Sequence, residues 1–368
     1  MPRWLVNTLL VLTLLVLIWI AWLCSAWKKF FDAPLIANNI PVEIEVQPGT
    51  TPSAIAWQLK RQGLNIDPKR FIQWARLRGD LTRIKAGEYR IMPGMTASQF
   101  LSQMVAGRTI MRQFTIVEGW TFGQLMDALN RNPYVSHQLQ GLDDASIMAR
   151  IGHPNLYPEG MFYPSTYLFS RGTSDIKLLQ MAYNNMQQVL GQLWQQRAPN
   201  LFYQNSYQAL IVASMIEKET AVISERPMVA GVIMRRLDKN MRLQIDPTVM
   251  YGLNKNYTQK LTGNDLKIDT AYNTYTRNGL PPTPIAMPSA SSITAALHPA
   301  AGDALYYVAT GVGGHAFSNT LKAHDVAIKQ YLLRPQFCPM PDKLMLNLLL
   351  RQPVTYFCQQ PQRIANAN

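Results

Sequence analysis

The chain has 368 residues, 48% of them hydrophobic, so it is long enough for two or three domains and excludes a disordered polymer. Lys and Arg number 35 against 22 Asp and Glu, and the net charge of +13 favours an anionic partner: nucleic acid, anionic lipid or an acidic polymer. Only three cysteines are present, which excludes a disulfide framework.

The first predicted element is a membrane-spanning helix from Trp4 to Trp27, after a cytoplasmic stub of residues 1–3. The run Leu5–Ala26 carries no charge and exceeds the roughly 18–20 residues that cross a bilayer. It is too long for the core of a cleavable signal peptide, and no clear cleavage site follows it. The rest of the chain should therefore lie outside the cytoplasm, which removes nucleic acid as a partner.

After a linker over residues 28–40, residues 41–150 are predicted to contain three copies of one strand–turn–helix unit. In each copy, alternating apolar residues lead to a glycine and then to helical spacing. The turn glycines are Gly49, Gly94 and Gly119, and the N-cap candidates two residues later are Thr51, Thr96 and Thr121. The pattern resembles LysM-like modules, which hold glycan chains, but a purely structural α+β region fits it equally well.

Residues 151–333 are predicted to form a catalytic domain of mixed helices and strands. Its first segment, Tyr157–Phe169, interleaves aromatic residues with Pro and Gly, which suits either a wall that stacks sugar rings or simple core packing. Helices are expected from Ser174 to about Leu193 and from Pro227 to Asp238.

The most informative segment is the nearly all-apolar helix Gln208–Ile216, because such a helix is buried. Helical rotation places Glu217 on the face of Ala213 and Ser214, and turns Glu219 roughly the opposite way. The two small residues are expected to leave space for a cleft beside Glu217. A carboxyl that loses hydration can hold a proton and act as a general acid, although an ion pair at a helix end is the alternative.

The chain after this helix is predicted to end in a hairpin, a helix and an extension. Tyr306–Ala309 and Ala316–Ser318 read as strands, with His315 on the hairpin, and Lys322–Leu332 as a closing helix. Residues 334–368 form a Pro/Gln-rich extension. Cys338 and Cys358 lie in it, and their spacing allows a disulfide or two free thiols equally.

Other catalytic chemistries lack their residues. The histidines His298, His315 and His324 are scattered, and no His-Glu-x-x-His motif is present, so no metal is expected. There is neither a phosphate-binding Gly-rich loop nor a serine nucleophile elbow. Acid/base catalysis by a carboxyl, without a cofactor, is the chemistry that remains.

Four segments taken together resemble the endolytic murein transglycosylase (YceG-like) family. They are Ala213–Thr220, Met241–Gly252, Ala271–Thr276 with Gly279–Pro282, and Gly313–Phe317. The resemblance covers roughly Pro41 to Leu333, and the extension lies outside it. It implies an α+β protein that cuts the β-1,4 bond between N-acetylmuramic acid and N-acetylglucosamine in nascent glycan strands. The 6-hydroxyl of the muramic residue would attack its own anomeric carbon, leaving a 1,6-anhydro end.

The resemblance also implies the site residues. Glu217, the first glutamate of Glu-Lys-Glu, would protonate the leaving oxygen and then accept the hydroxyl proton. The implied substrate contacts are Glu159, Tyr163, Gln244, Asp246, Thr248, Tyr272, Asn273, Tyr275, His315 and Phe317. The chain departs from the family pattern at Ser165, Arg235 and Ile245, which puts details of substrate contact in doubt.

The resemblance further implies a location and partners. The protein would sit in the bacterial inner membrane with its catalytic domain on the periplasmic side, bind peptidoglycan strands, terminate their elongation and work beside peptidoglycan synthases. Two alternatives stay open: a non-catalytic, membrane-tethered glycan-binding scaffold, and a lysozyme-type hydrolase with Asp246 as second carboxylate.

Overall fold

A computed structural model describes residues 3–255, 257 and 259–331, and it confirms a mixed α+β chain. Cys338, Cys358 and the predicted extension lie outside these residues. The described chain divides into two compact units. The first comprises residues up to 114 together with 134–136 and 168–173, and the second comprises 115–133, 137–167 and the chain from 174 onward. The predicted domain limits stay a prediction.

The first unit alternates short helices with short strands. In chain order it contains α1 (Arg3–Asp32), β1 (Val42–Val46), α2 (Pro52–Arg61), α3 (Pro68–Leu77), β2 (Gly87–Ile91), α4 (Ala97–Ala106) and most of β3 (Met111–Thr115). Strands β1 and β2 are antiparallel, with Val42 opposite Ile91 and Val46 opposite Gly87. The unit encloses its own core, in which Phe71, Tyr89 and Phe100 are fully buried.

The three predicted strand–turn–helix units are confirmed. The first two copies are β1 with α2 and β2 with α4, and the third is β3 with α5 (Phe122–Asn130). Thr51, Thr96 and Thr121 each cap their helix through a side-chain oxygen, and the latter two form capping boxes with glutamines. The likeness of these units to LysM modules is not established by the fold.

The N-terminal helix α1 contains the predicted membrane span. Among the residues whose placement is described, no helix combines the length and the apolar character that crossing a membrane requires. The span expected from Trp4 to Trp27 is therefore not supported by this finding.

The second unit is mainly helical. Besides α5 it contains α6 (Asp144–Arg150), β4 (Thr166–Ser170, shared with the first unit), α7 (Asp175–Gln195), α8 (Ser206–Glu219), α9 (Arg226–Asp238), α10 (Asp246–Gly252), α11 (Ala290–Leu297), β5 (Tyr306–Ala309), β6 (His315–Ser318) and α12 (Leu321–Tyr331). Strands β5 and β6 form the predicted antiparallel hairpin, with Ala309 opposite His315.

Helix α8 is the centre of the second unit. Its residues 209–216 are all buried, as the apolar sequence predicts, and the helix packs against α11, α9, α7 and α10. Asn205 caps its first turn by accepting a hydrogen bond from the Gln208 amide. The buried helix fixes the position of the charged residues at its C-terminal end.

Candidate active site

The two glutamates at the end of α8 face opposite sides of the helix, as its rotation predicts. Glu217 lies on the side of Ser214, and both side chains bond the segment 285–289 that leads into α11. Glu219 instead contacts Tyr307 on strand β5. The two carboxyl groups therefore belong to two separate environments.

Glu217 is held in a cradle of hydrogen-bond donors. Its Oε1 accepts from Arg226 Nη2 at 3.0 Å. Its Oε2 accepts from the Ser289 amide at 2.9 Å and from the Ser289 hydroxyl at 2.5 Å. The side chains of Glu217 and Arg226 are each only 6% exposed, so the ion pair is buried.

The two small residues on the Glu217 face of α8 are covered by neighbouring segments. Ala213 and Ser214 are fully buried, and Ser214 Oγ accepts a hydrogen bond from the Ile285 amide at 3.0 Å. The small side chains allow α11 and the segment before it to approach α8 closely, and this packing fills the space. Close packing therefore uses these two small residues, and the cleft predicted beside Glu217 stays a prediction.

Glu219 lies in a cluster of titratable groups with Asp246, Tyr275 and Tyr307. As whole residues, all four are partly exposed. Its Oε2 accepts a hydrogen bond from the Tyr307 hydroxyl at 2.8 Å. Burial of the carboxyl and the nearby charge of Asp246 raise the pKa of Glu219 to about 7, although the Tyr307 hydrogen bond and Arg236 act in the opposite direction. A carboxyl that keeps its proton near neutral pH has the state a general acid needs.

Asp246 is the second acidic group of this cluster and begins α10. Its Oδ1 accepts a hydrogen bond from the Tyr275 hydroxyl at 2.5 Å. Burial raises the pKa of Asp246, and the hydrogen bond from Tyr275 only partly offsets this. Each of the two carboxyls thus receives one phenolic hydroxyl, Glu219 from Tyr307 and Asp246 from Tyr275.

The β5–β6 hairpin places aromatic rings beside the same cluster. His315 and Phe317 lie two residues apart on β6, so their side chains share one face. The ring centroid of Tyr307 is 5.4 Å from that of His315 and 5.8 Å from that of Phe317. All three are partly exposed. These rings give Glu219 aromatic surroundings, and aromatic faces are surfaces on which sugar rings can pack.

Half of the predicted substrate contacts gather around Glu219. They are Asp246, Tyr275, His315 and Phe317, together with the exposed Gln244, whose side-chain oxygen accepts from Arg236 at 3.3 Å. Arg236 also donates to the carbonyls of Leu243 and Leu305. It therefore joins the segment before α10, which contains Gln244, to the residue that precedes β5. Five of the ten substrate contacts that the resemblance implied therefore lie near Glu219, the second glutamate of the Glu-Lys-Glu motif.

The remaining predicted contacts are Glu159, Tyr163, Thr248, Tyr272 and Asn273, and their contact with substrate stays a prediction. Thr248 and Asn273 are fully buried, and Asn273 bonds the carbonyls of Leu266 and Ile268. Glu159 is buried and accepts hydrogen bonds from the Phe122 amide and the Tyr251 hydroxyl, and burial raises its pKa to about 7.

Two predicted tyrosines also lie outside the Glu219 cluster. Tyr272 bonds Thr283 through its hydroxyl at 2.8 Å and packs edge-on against Tyr251. Tyr163 is half-buried, and its carbonyl accepts from the Tyr167 hydroxyl. Both tyrosines therefore support the fold of the second unit around Glu159 and α7.

Several residues of the site were missed by the sequence analysis: Glu219 as an acid, Glu225, Arg226, Arg236, Ser289 and Tyr307. Ser289 carries a recognisable local signal, since a serine after Pro288 and before an apolar run is typical of an N-cap, and it does cap α11. Its contact with Glu217 spans 72 residues of sequence, so no local pattern could have indicated it.

Comparisons with known proteins agree on one family. The YceG-like family matches residues 44–330, which is most of the chain. The endolytic murein transglycosylase of Bacillus subtilis is 29% identical over 320 residues, covering 80% of this chain and 86% of the relative. The Streptococcus pneumoniae enzyme of the same name is 25% identical over 341 residues, covering 81% of this chain and 60% of the relative.

One solved structure is also similar. It is the crystal structure of a YceG-like protein from Listeria monocytogenes, with 29% sequence identity and a TM-score of 0.47. The match covers 78% of this chain and 99% of that chain.

Proposed function

Because the chain belongs to the YceG-like family, we propose that it is a lytic transglycosylase that cleaves the glycan strands of peptidoglycan. Its relatives from B. subtilis and S. pneumoniae carry the name endolytic murein transglycosylase. The reaction would cut the β-1,4 bond after N-acetylmuramic acid and leave a 1,6-anhydro end. Cutting within nascent strands would terminate their elongation.

The observation that carries the chemistry is the Glu219 carboxyl, whose pKa of about 7 leaves it substantially protonated at neutral pH. In the proposed step, Glu219 gives this proton to the glycosidic oxygen as the bond to the anomeric carbon breaks. The 6-hydroxyl of the same sugar supplies the nucleophile. One carboxyl is sufficient, whereas ordinary glycoside hydrolysis generally requires two.

This assignment differs from the one that the sequence implied. Glu217 remains the catalytic residue expected from the resemblance, but its side chain is only 6% exposed, and its carboxyl accepts hydrogen bonds from Arg226 and Ser289. Glu219 accepts a hydrogen bond from Tyr307, whose ring lies beside His315 and Phe317, and Asp246 is a second carboxyl nearby that helps to raise its pKa. We therefore assign the acid to Glu219 and a structural ion pair to Glu217.

The reaction is tested by digesting purified peptidoglycan with the full-length protein and weighing the fragments by mass spectrometry. A transglycosylase yields fragments lighter by one water than those of a hydrolase. Fragments with reducing ends would instead support the lysozyme-type hydrolase, which the proximity of Asp246 to Glu219 favours as a second candidate. Binding without any fragments would support the non-catalytic scaffold.

The rate of cleavage is expected to fall as the pH rises above neutrality. The folded-state pKa of Glu219 is raised, so the group is protonated below about pH 7 and ionised above it. Only the protonated form can donate, and the rate should therefore fall about 50-fold between pH 7 and pH 9. Initial rates on one peptidoglycan preparation, measured from pH 5 to 9, check this. A rate that rises over this range would contradict an acid with this pKa.

We propose that residues 4–27 tether the protein to the bacterial inner membrane, with the second unit on the periplasmic side. The support is the uncharged run Leu5–Ala26 and the exposed apolar side chains of α1, among them Leu17, Trp19 and Trp22. The glycan-holding role of the strand–turn–helix units and an association with peptidoglycan synthases are proposed on the resemblance alone.

Deleting residues 1–32 is expected to move the protein from the membrane pellet to the supernatant after cell lysis, because α1 is removed as a whole. Immunoblotting of the two fractions checks this. Washing the full-length protein with alkaline carbonate provides the control, since carbonate releases peripheral proteins and leaves spanning ones. Full release of the intact chain by carbonate would contradict the tether.

A further inference from the structure

Glu225 and His315 form a carboxylate–imidazole pair beside the Glu219 cluster. Glu225 ends a 3-10 turn just after α8, and His315 begins β6. Glu225 Oε1 accepts from the His315 amide at 2.8 Å, and Oε2 contacts His315 Nδ1 at 2.8 Å. Gly314, with φ of +105°, lets the carboxylate approach, because a Cβ there would lie 2.5 Å from Oε1. The two contacts fix both the position and the orientation of the imidazole ring.

This contact determines which nitrogen of the neutral imidazole carries the proton. Burial alone would raise the pKa of Glu225, but hydrogen bonds from His315 outweigh it and lower the pKa below its usual value. The group facing Nδ1 is therefore a carboxylate, which only accepts, so Nδ1 must donate. The other nitrogen, Nε2, is then a proton acceptor. Among the described residues, no hydrogen bond to Nε2 is formed.

The imidazole lies one aromatic ring away from the proposed acid. The His315 ring meets Tyr307 edge-on, with an angle of 89° between the planes, and the Tyr307 hydroxyl donates to Glu219. The side chains of His315 and Glu225 are 14% and 16% exposed, so the pair is shielded but can be reached from the surface. The His315 ring is therefore separated from the Glu219 carboxyl by the Tyr307 side chain alone.

We propose that His315 is the base that accepts the proton of the attacking 6-hydroxyl and that Glu225 is its positioning residue. This inference rests on the proposed transglycosylase function. The bond between the anomeric carbon and the glycosidic oxygen breaks, and that oxygen takes the proton of Glu219. The 6-hydroxyl oxygen bonds to the anomeric carbon, and its proton passes to Nε2. His315 then releases this proton to solvent, from which Glu219 regains one, so no water is consumed.

The pair has the arrangement in which a carboxylate orients a histidine base and fixes its tautomer. Such a base would favour the internal hydroxyl over water, because it holds and deprotonates that hydroxyl as the glycosidic bond breaks. Loss of the base should therefore affect both the rate and the partition of the products. A merely structural role of His315 in the hairpin would leave the partition unchanged.

Two variants test this in the full-length protein. His315→Asn keeps a side-chain N–H at the place of Nδ1, and so keeps the bond to Glu225, but removes Nε2. Glu225→Gln presents an amide N–H to Nδ1 and so forces the opposite tautomer. Both are expected to lower the rate of anhydro-product formation by about 10²-fold or more and to raise the share of hydrolysed ends among the remaining fragments. Mass spectrometry of peptidoglycan digests measures both quantities.

His298→Asn is the matched control, since His298 is exposed at the end of α11, and it should keep the wild-type rate and products. Wild-type rates and fully anhydro products in both test variants would overturn the proposal. Nitrogen NMR of labelled histidine supplies a readout independent of turnover: His315 should be protonated at Nδ1 in the wild type and at Nε2 in Glu225→Gln. If the wild-type protein makes no anhydro ends, the proposed function is contradicted. If His315 of the wild type is protonated at Nε2 and not at Nδ1, the proposed role of the Glu225–His315 pair is contradicted.

Discussion

Replacement of Glu219 by glutamine is expected to reduce the release of anhydro fragments by about 10³-fold or more, within the range that general acid catalysis supplies. The amide has nearly the shape of the protonated carboxyl and can still accept from the Tyr307 hydroxyl, so folding should be preserved. It has no acidic proton to give to the leaving oxygen. Initial rates of fragment release, together with circular dichroism of the variant, provide the measurement.

Replacement of Glu217 by glutamine is the comparison that separates the two glutamates. This variant loses the charge that neutralises Arg226, and we expect a less stable protein whose folded fraction still cleaves at a rate close to wild type. The reverse outcome, an inactive but stable Glu217→Gln and an active Glu219→Gln, would contradict our assignment. It would return the acid to the residue that the sequence implied.

The second large effect is expected from Arg226→Met, which should lower the free energy of unfolding by about 3–5 kcal/mol. The substitution leaves the Glu217 carboxylate buried without its cation. It also removes the hydrogen bonds that Arg226 Nη1 donates to the hydroxyl oxygens of Ser289 and Ser291. Urea unfolding followed by intrinsic fluorescence measures the change in the second unit.

Arg277→Met provides a matched control for this prediction. Arg277 also pairs with a carboxylate, Asp269 at 2.9 Å, but the two side chains are 53% and 56% exposed. An exposed pair of this kind contributes about 0–1 kcal/mol, so its loss should hardly change the unfolding curve. If the two substitutions lower the free energy of unfolding equally, the Arg226–Glu217 ion pair does not behave as a buried pair.

The double variant Glu217→Gln with Arg226→Met distinguishes a buried charge from lost packing. It removes both charges, so it should recover part of the stability that Arg226→Met loses. No recovery would mean that the loss comes from the packing of the Arg226 side chain and from its serine contacts.

Local features of this protein were predicted well from its sequence. The capping threonines, the three strand–turn–helix units, the buried α8 and the hairpin were all placed correctly, because each depends on residues a few positions apart. Even the opposite orientation of Glu217 and Glu219 followed from the helical period alone. The sequence determined these features because backbone geometry and side-chain periodicity act over short stretches.

Our assignment of the acid to Glu219 and not to Glu217 rests only on the tertiary structure. From the sequence, Ala213 and Ser214 are compatible either with an open cleft or with a closely packed neighbour. In the structure both are fully buried, and α11 packs against α8. Tyr307 reaches Glu219 across 88 residues of sequence, and the environment it helps to form determines the protonation of that carboxyl. The pKa of a group depends on its burial, on nearby charges and on its hydrogen bonds. In this protein these come from residues distant in sequence, so a local sequence pattern does not contain them.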